Sequence, residues 1–249
     1  MAHARVLCIM DEGAKVGTPL IGSKGASFVF DVDGKRILFD TGRSGRYFMR
    51  NMDILKVKAD SVDAVVISHP SIDHVGGLNT FMTNRTVRVD IYSVPEVWDV
   101  KRTFGKLITD DNVGGIIRQD AGKDWIQLTE HLYISPVVND DSKELALVLR
   151  TNQGPVVFSA CAHAGIGDTL RIVKERFGPI RGLVGGIYLH KVKQPAVNAV
   201  AEIIVNEYSI NEVHLNGCTT GEGIQKMRVA TSNDKIKDFF AGDELDYTV

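Results

Sequence analysis

Apolar positions along this chain fall mostly into short continuous or alternating runs bounded by turn residues, with a smaller number of stretches at helical spacing. Arg5 to Met10 is a short apolar strand, followed by the polar, glycine-containing loop Asp11 to Pro19. Ser27 to Val32 and Arg36 to Asp40 pair as a hairpin, with Asp33-Gly34 as the turn signal. Tyr47, Phe48, Ile54 and Leu55 space the segment Gly45 to Val57 as a helix. Ala64 to Ile67 reads as a buried strand, and residues 86–93 alternate around Val87, Val89 and Ile91 as another. Residues 95–125, from Pro95-Glu96-Val97-Trp98 through Gly114-Gly115, read as an inserted, partly irregular lid.

The second half also mixes strands and helices. Trp125 to Leu128 and Leu132 to Ile134 read as strands, and Leu145 to Arg150 pairs with Val156 to Ser159 across Asn152-Gln153-Gly154. Ile166, Leu170, Val173 and Phe177 mark one face of a helix over Gly165 to Phe177. Gly182 to His190 reads as a strand reaching a polar end. Pro195 opens a helix through Glu207, with Val200, Ile203 and Ile204 turned inward. Glu212 to Leu215 leads into a glycine loop, and Ile236 to Val249 reads as a short helix and a closing strand. Runs of strands with helices between them suit two packed sheets with helices outside. No repeat, linker or composition shift divides residues 1–249, so one domain is expected.

Composition narrows the class. A length of 249 residues supports a large core, and 44% hydrophobic with 24% charged residues is ordinary for a globular protein. The net charge of -2 and the lack of a basic patch interleaved with aromatics argue against nucleic acid as a partner. No apolar run reaches the roughly 20 residues of a membrane span, and Met1 to Arg5 carries no signal-peptide core. The three cysteines, Cys8, Cys161 and Cys218, cannot all pair, and a reducing cytoplasm is the simplest setting.

Chemistry concentrates at strand ends. After the Ala64 to Ile67 strand come His69, Asp73 and His74, then Gly76-Gly77, where the backbone can pass close by. Imidazole and carboxylate in one turn suit zinc, iron or manganese, although a surface turn with two histidines is the plain alternative. Asp40 ends its strand in Asp40-Thr41-Gly42, which by itself reads as a simple strand-to-loop cap. Cys161 reads as a small buried hydrophobe or a soft ligand, and His163 two residues on as a ligand or catalytic group. His190 is a ligand, a substrate contact or a solvated histidine, and His214 reads as structural.

The turn Ser68-His69-Pro70-Ser71-Ile72-Asp73-His74-Val75-Gly76-Gly77 resembles the metallo-β-lactamase superfamily signature Ser-His-x-His-x-Asp-His-x-Gly-Gly, with Ser71 in the place of its second histidine. The resemblance implies an α/β fold, a four-layer αβ/βα sandwich, with Asp40 supporting the metal ligands. Leu38 to Gly42, Lys143 to Val148, Ala160 to Ile166 and Gly217 to Glu222 resemble the branch of dihydropterin ribofuranosyl-aminobenzene phosphate synthases. That name belongs to archaeal methanopterin biosynthesis, though many members of the branch have no established substrate. Tyr188 and Gly217 also stand in histidine slots of that branch, so three histidines are missing; His190 or His214 is placed to compensate.

The resemblance therefore implies a hydrolase or transferase for a small metabolite, with a reduced site of one divalent ion, zinc first, iron or manganese also suited. Asp73, His74 and His163 are its expected ligands, His69 a ligand or base, and Asp73 and His69 the catalytic candidates. The competing expectation is a catalytically degenerate relative that binds a protein partner or a second copy of itself. A third is a redox or sensing site in which Cys161 and Cys218, each just after a strand, serve as soft ligands.

Overall fold

In a computed structural model that describes residues 2–101, 106–231 and 235–249, two seven-stranded mixed sheets carry the chain. The first half supplies β1 (His3–Met10), β2 (Ser27–Val32), β3 (Lys35–Phe39), β4 (Ala64–Val66), β5 (Val89–Ser93) and β6 (Ile116–Asp120). The second supplies β7 (Ile126–Gln127), β8 (Leu132–Ile134), β9 (Leu147–Thr151), β10 (Gly154–Ser159), β11 (Gly182–Gly185), β12 (Glu212–Leu215) and β13 (Ile236–Asp238). The last strand, β14 (Glu244–Thr248), returns to pair antiparallel with β1, giving the orders β14-β1-β2-β3-β4-β5-β6 and β13-β12-β11-β10-β9-β8-β7. The helices are α1 (Gly45–Ile54), α2 (Ile72–Val75), α3 (Leu78–Thr83), α4 (Asp110–Val113), α5 (Gly167–Phe177), α6 (Gln194–Ala201) and α7 (Gly221–Ala230).

The hairpin turn follows from its residues. Asp33 and Gly34 sit at φ 52° and 72°, the two left-handed positions of a tight turn that matches strand twist. Both sheets turn an apolar face inward. Phe30 of the first meets Phe158 of the second edge-on at 4.7 Å, inside a core shared by the two. A separate apolar layer, with Leu170, Val173, Val197, Ile204 and Met227, seats α5, α6 and α7 on the outside of the second sheet. This is the expected αβ/βα sandwich.

Two expectations change. Residues 95–125 are not simply an inserted lid: β6 joins the first sheet parallel to β5, from Val89 opposite Ile116 to Ser93 opposite Asp120. Its sequence, Ile-Ile-Arg-Gln-Asp, hides that role because an edge strand is half-solvated and lacks clean alternation. Residues 102–105 of that segment lie outside the described residues. The helix expected after Ile236 lies earlier, as α7, where Thr220 Oγ caps the backbone N–H of Gly223 and Ile224 and Met227 are buried. Ile236 instead begins β13, beside Val213 of β12.

Position of the site follows from strand direction. Strands β3, β4, β5 and β6 run parallel, as do β10, β11, β12 and β13, so each group ends at one edge of its sheet. Loops after such strand ends collect functional groups in open α/β sheets. The Gly76-Gly77 pair packs under this edge: a Cβ on either would overlap the carbonyl of Arg43 or of Thr41. No helix among the described residues is long and apolar enough to cross a membrane.

Candidate metal centre

The loops after β3, β4, β10 and β12 converge on one buried cluster. Asp40, directly after β3, is buried and held at φ 60°, a left-handed conformation that a short polar side chain tolerates better than most. Its backbone stays tied to the sheet through N–H donation to Val66 at 2.9 Å. Its carboxylate accepts from Ser68 N at 2.7 Å, from Ser68 Oγ at 2.7 Å and from His74 Nδ1 at 2.6 Å. Ser68 Oγ also lies 2.9 Å from His69 Nδ1.

This chain of contacts assigns both imidazoles. The single Ser68 hydroxyl proton goes to Asp40, so His69 Nδ1 carries the proton that it shares with Ser68 Oγ. His74 Nδ1 likewise donates to Asp40. Both Nε2 atoms are then bare lone pairs. His69 Nε2 is buried without a hydrogen-bond partner, and His74 Nε2 faces Cys161 Sγ at 3.2 Å. The ligand atoms of His69, His74 and Cys161 all lie within 4.8 Å of one another. Two imidazole nitrogens beside a sulfur fit zinc or iron in donor chemistry, and the orphaned His69 nitrogen lacks a partner that a metal would provide.

Electrostatics differ across the pair. Burial, with the neighbouring His74 and His163, holds His69 well below the usual imidazole range. Burial also lowers His74, but the charge and hydrogen bond of Asp40 outweigh it, and the net direction is upward. His69 therefore stays neutral, while His74 is basic and tightly oriented. The two rings lie 4.3 Å apart.

Around this core, His163 stands exposed at the mouth, 5.0 Å ring to ring from His69 and 4.6 Å from Tyr188. Its loop is braced by Glu144, whose carboxylate accepts from the backbone N–H of Cys161 at 2.7 Å, Ala162 at 2.8 Å and His163 at 3.0 Å. Cys218, in the single helical turn Gly217–Thr219 after β12, places its sulfur 3.7 Å from His74 Nε2. Cys161 and Cys218 are joined as a disulfide, and Cys8 is buried and free.

Other expected site residues stand apart. Asp73 is turned to Arg43, whose Nη1 donates at 2.9 Å, and both side chains are substantially exposed. The cluster of His69, His74 and Cys161 does not include it. His190 is exposed beyond Tyr188, at 6.4 Å ring to ring. His214 is buried against Phe239 and lies 3.5 Å from Glu212, a structural setting.

Two of the three histidine slots are committed to structural contacts. Ser71 Oγ caps the first turn of α2 by accepting from Asp73 N. Gly217 donates to the buried Asp11 carboxylate at 2.7 Å, and a Cβ there would press into Glu12 at 2.7 Å. The Asp11 loop thus occupies the space where that histidine would stand. Ser68 and Glu144 also belong to this cluster, though neither was among the candidate residues. Ser68 was visible within the Ser-His pair, but no spacing signals that Glu144 folds back onto 161–163.

Known proteins share this fold. The Metallo-beta-lactamase superfamily profile matches residues 21–173. A 7,8-dihydropterin-6-methyl-4-(beta-D-ribofuranosyl)-aminobenzene-5'-phosphate synthase from Methanocaldococcus jannaschii is 23% identical over 231 residues, covering 75% of this chain and 78% of that protein. Among solved structures, a metal-dependent hydrolase of the beta-lactamase superfamily superposes with TM-score 0.81 at 22% identity, over 99% of this chain and 100% of the other. A diphosphatase from the PhnP family does so with TM-score 0.63 at 14% identity, over 98% and 97%. By its sandwich fold, its strand-end histidines and this match, the chain belongs to the metallo-beta-lactamase superfamily.

Proposed function

We propose that this protein is a metal-dependent hydrolase for an ester or phosphoester of a small metabolite, working with one divalent ion. The observation that carries the reading is the buried, partnerless Nε2 of His69 beside the Nε2 of His74, which faces the Cys161 sulfur at 3.2 Å. His69, His74 and Cys161 would hold the ion, a three-donor set that leaves a position open, and zinc suits it best. A divalent ion there supplies Lewis acidity, polarising an ester or phosphoryl oxygen and acidifying water. Asp40 keeps His74 in its ligating tautomer, and Ser68 does the same for His69. His163 stands at the mouth to meet substrate, and Asp73 would join only by leaving Arg43. A small phosphorylated substrate is supported by the archaeal relative, named for an aminobenzene-5'-phosphate, and by the diphosphatase of like fold.

The test is metal content of protein purified under reduction, followed by turnover of phosphomonoesters, phosphodiesters and carboxylic esters. About one ion per chain, lost in His74→Ala together with turnover, supports the reading. A metal-free parent would sink it. The second reading, a degenerate binding protein, is favoured by Ser71 and Gly217 being committed to structural contacts in two histidine slots. Stable metal with no turnover on any ester class, beside a partner that co-purifies, would select it.

A further inference from the structure

We propose that Cys161 and Cys218 are a dithiol–disulfide switch that decides whether the His69–His74 centre can hold its metal. The proposal rests on the reading of that centre as metal-dependent, and it adds a means of control. Neither cysteine is near the other in sequence: 57 residues separate them, and the convergence of the β10 and β12 ends brings their Cα atoms to 5.5 Å. That spacing lies in the ordinary disulfide range. Both sulfurs border one atom, His74 Nε2, at 3.2 Å for Cys161 and 3.7 Å for Cys218. Asp40 holds the opposite nitrogen, so this is the face of His74 that a metal would use.

The two cysteines are not equivalent. Cys161 is buried, tied through its N–H to Glu144, and grouped with His69 and His74 as a ligand. Cys218 is half-buried, in a turn whose first N–H groups are tied to Asp11 and Asn216. In the reduced protein, Cys161 is the third donor, and the more exposed Cys218 stands beside it as the thiol open to a small oxidant. In the disulfide form, the Cys161 sulfur is bonded to Cys218 and no longer offers a thiolate. Two neutral imidazoles are then left, too few to retain the ion.

The chemistry balances with a low-molecular-weight disulfide as oxidant. Cys218 thiolate attacks that disulfide, forming a mixed disulfide and expelling one small thiolate. Cys161 thiolate then attacks the Cys218 sulfur, forming the internal bond and expelling the second. The two protein thiols lose two electrons and two protons, and the small disulfide becomes two thiols. A small dithiol reverses both steps. Cys8 takes no part, since it is free, fully buried and hydrogen-bonded to the Met10 carbonyl.

The experiment loads reduced full-length protein with zinc, removes free metal, and treats one half with oxidised glutathione. Retained zinc is measured by mass spectrometry, and free thiols are counted by alkylation after unfolding. The expected result is loss of the bound zinc, a fall from three alkylated cysteines to the one free Cys8, and recovery of both on reduction. Cys218→Ser is expected to keep its zinc through the same treatment, because Cys161 has no partner to leave for. Zinc retained in the parent with the 161–218 bond formed would overturn the switch and leave the metal reading standing. The switch is equally overturned by a bond that never forms under excess oxidant, or by Cys218→Ser losing zinc as the parent does. Reduced parent that takes up no zinc would overturn the metal-dependent reading, and the switch with it.

Discussion

Replacing Asp40 by asparagine isolates one property of the centre, the carboxylate charge behind the histidines. Asparagine is nearly isosteric and tolerates the left-handed backbone at φ 60°, whereas alanine would add about 1–2 kcal/mol of strain there. The carboxylate accepts three hydrogen bonds of 2.6–2.7 Å in a fully buried setting. Asparagine can keep the bond from Ser68 N but turns an amide donor toward Ser68 Oγ and His74 Nδ1. A buried donor facing a donor costs about 1–3 kcal/mol. The structure offers one relief: His74 moves its proton from Nδ1 to Nε2, which then points a hydrogen at the sulfurs and at any metal. Zinc affinity of the reduced protein should therefore fall by about 10–100-fold, or about 1.4–2.7 kcal/mol. Competition with a chromophoric chelator measures the affinity, and nitrogen NMR of His74 reads the tautomer. Unchanged affinity, with His74 still protonated on Nδ1, would refute the idea that Asp40 sets the ligating state.

Further outcomes follow from the same contacts. Asp73→Ala removes a half-exposed pair with Arg43, so thermal denaturation should show less than about 1 kcal/mol of change and metal content should hold; lost metal would move Asp73 into the ligand set. Burial pushes Asp11 up to about 7 against the pull of Gly13 and Gly217. A carboxyl raised in the fold contributes its stability at low pH and loses it as pH rises from about 4 to about 7, by up to about 4 kcal/mol. Denaturant midpoints across that window should fall in the parent and flatten in Asp11→Asn, and a flat parent profile would contradict the burial argument. Glu212 is held down at about 2 by His214, Arg181 and Tyr247, which ties β14 and the second sheet together. Glu212→Gln should cost about 1–2 kcal/mol at neutral pH, a difference that shrinks as pH falls below the ordinary carboxylate range towards about 2. Equal denaturant midpoints at pH 7 would count against it.

What was legible in the sequence was what local chemistry and periodicity encode. The Asp33-Gly34 turn, the apolar strand ending at His69 and the helical face of Ile166, Leu170 and Val173 each follow from neighbours a few residues apart. Where periodicity was weak, the reading slipped. The edge strand β6 is too solvated to alternate, and α7 follows a glycine-rich loop that looks like more loop.

The sequence by itself determined the sandwich class, the strand-end histidines and the place of Asp40, because each rests on motifs within one or two elements. Only the tertiary structure decided which of those groups meet. His74 draws Asp40, Cys161 and Cys218 from 34, 87 and 144 residues away, a matter of which strand ends share an edge. Asp73, beside His74 in the chain, points instead to Arg43, because successive residues on a helical turn face different directions. The Asp11 loop closing over Gly217 and the Glu144 carboxylate bracing residues 161–163 are likewise contacts across the fold. Pairings of this kind are set by packing two sheets against each other, and no local pattern along the chain carries them.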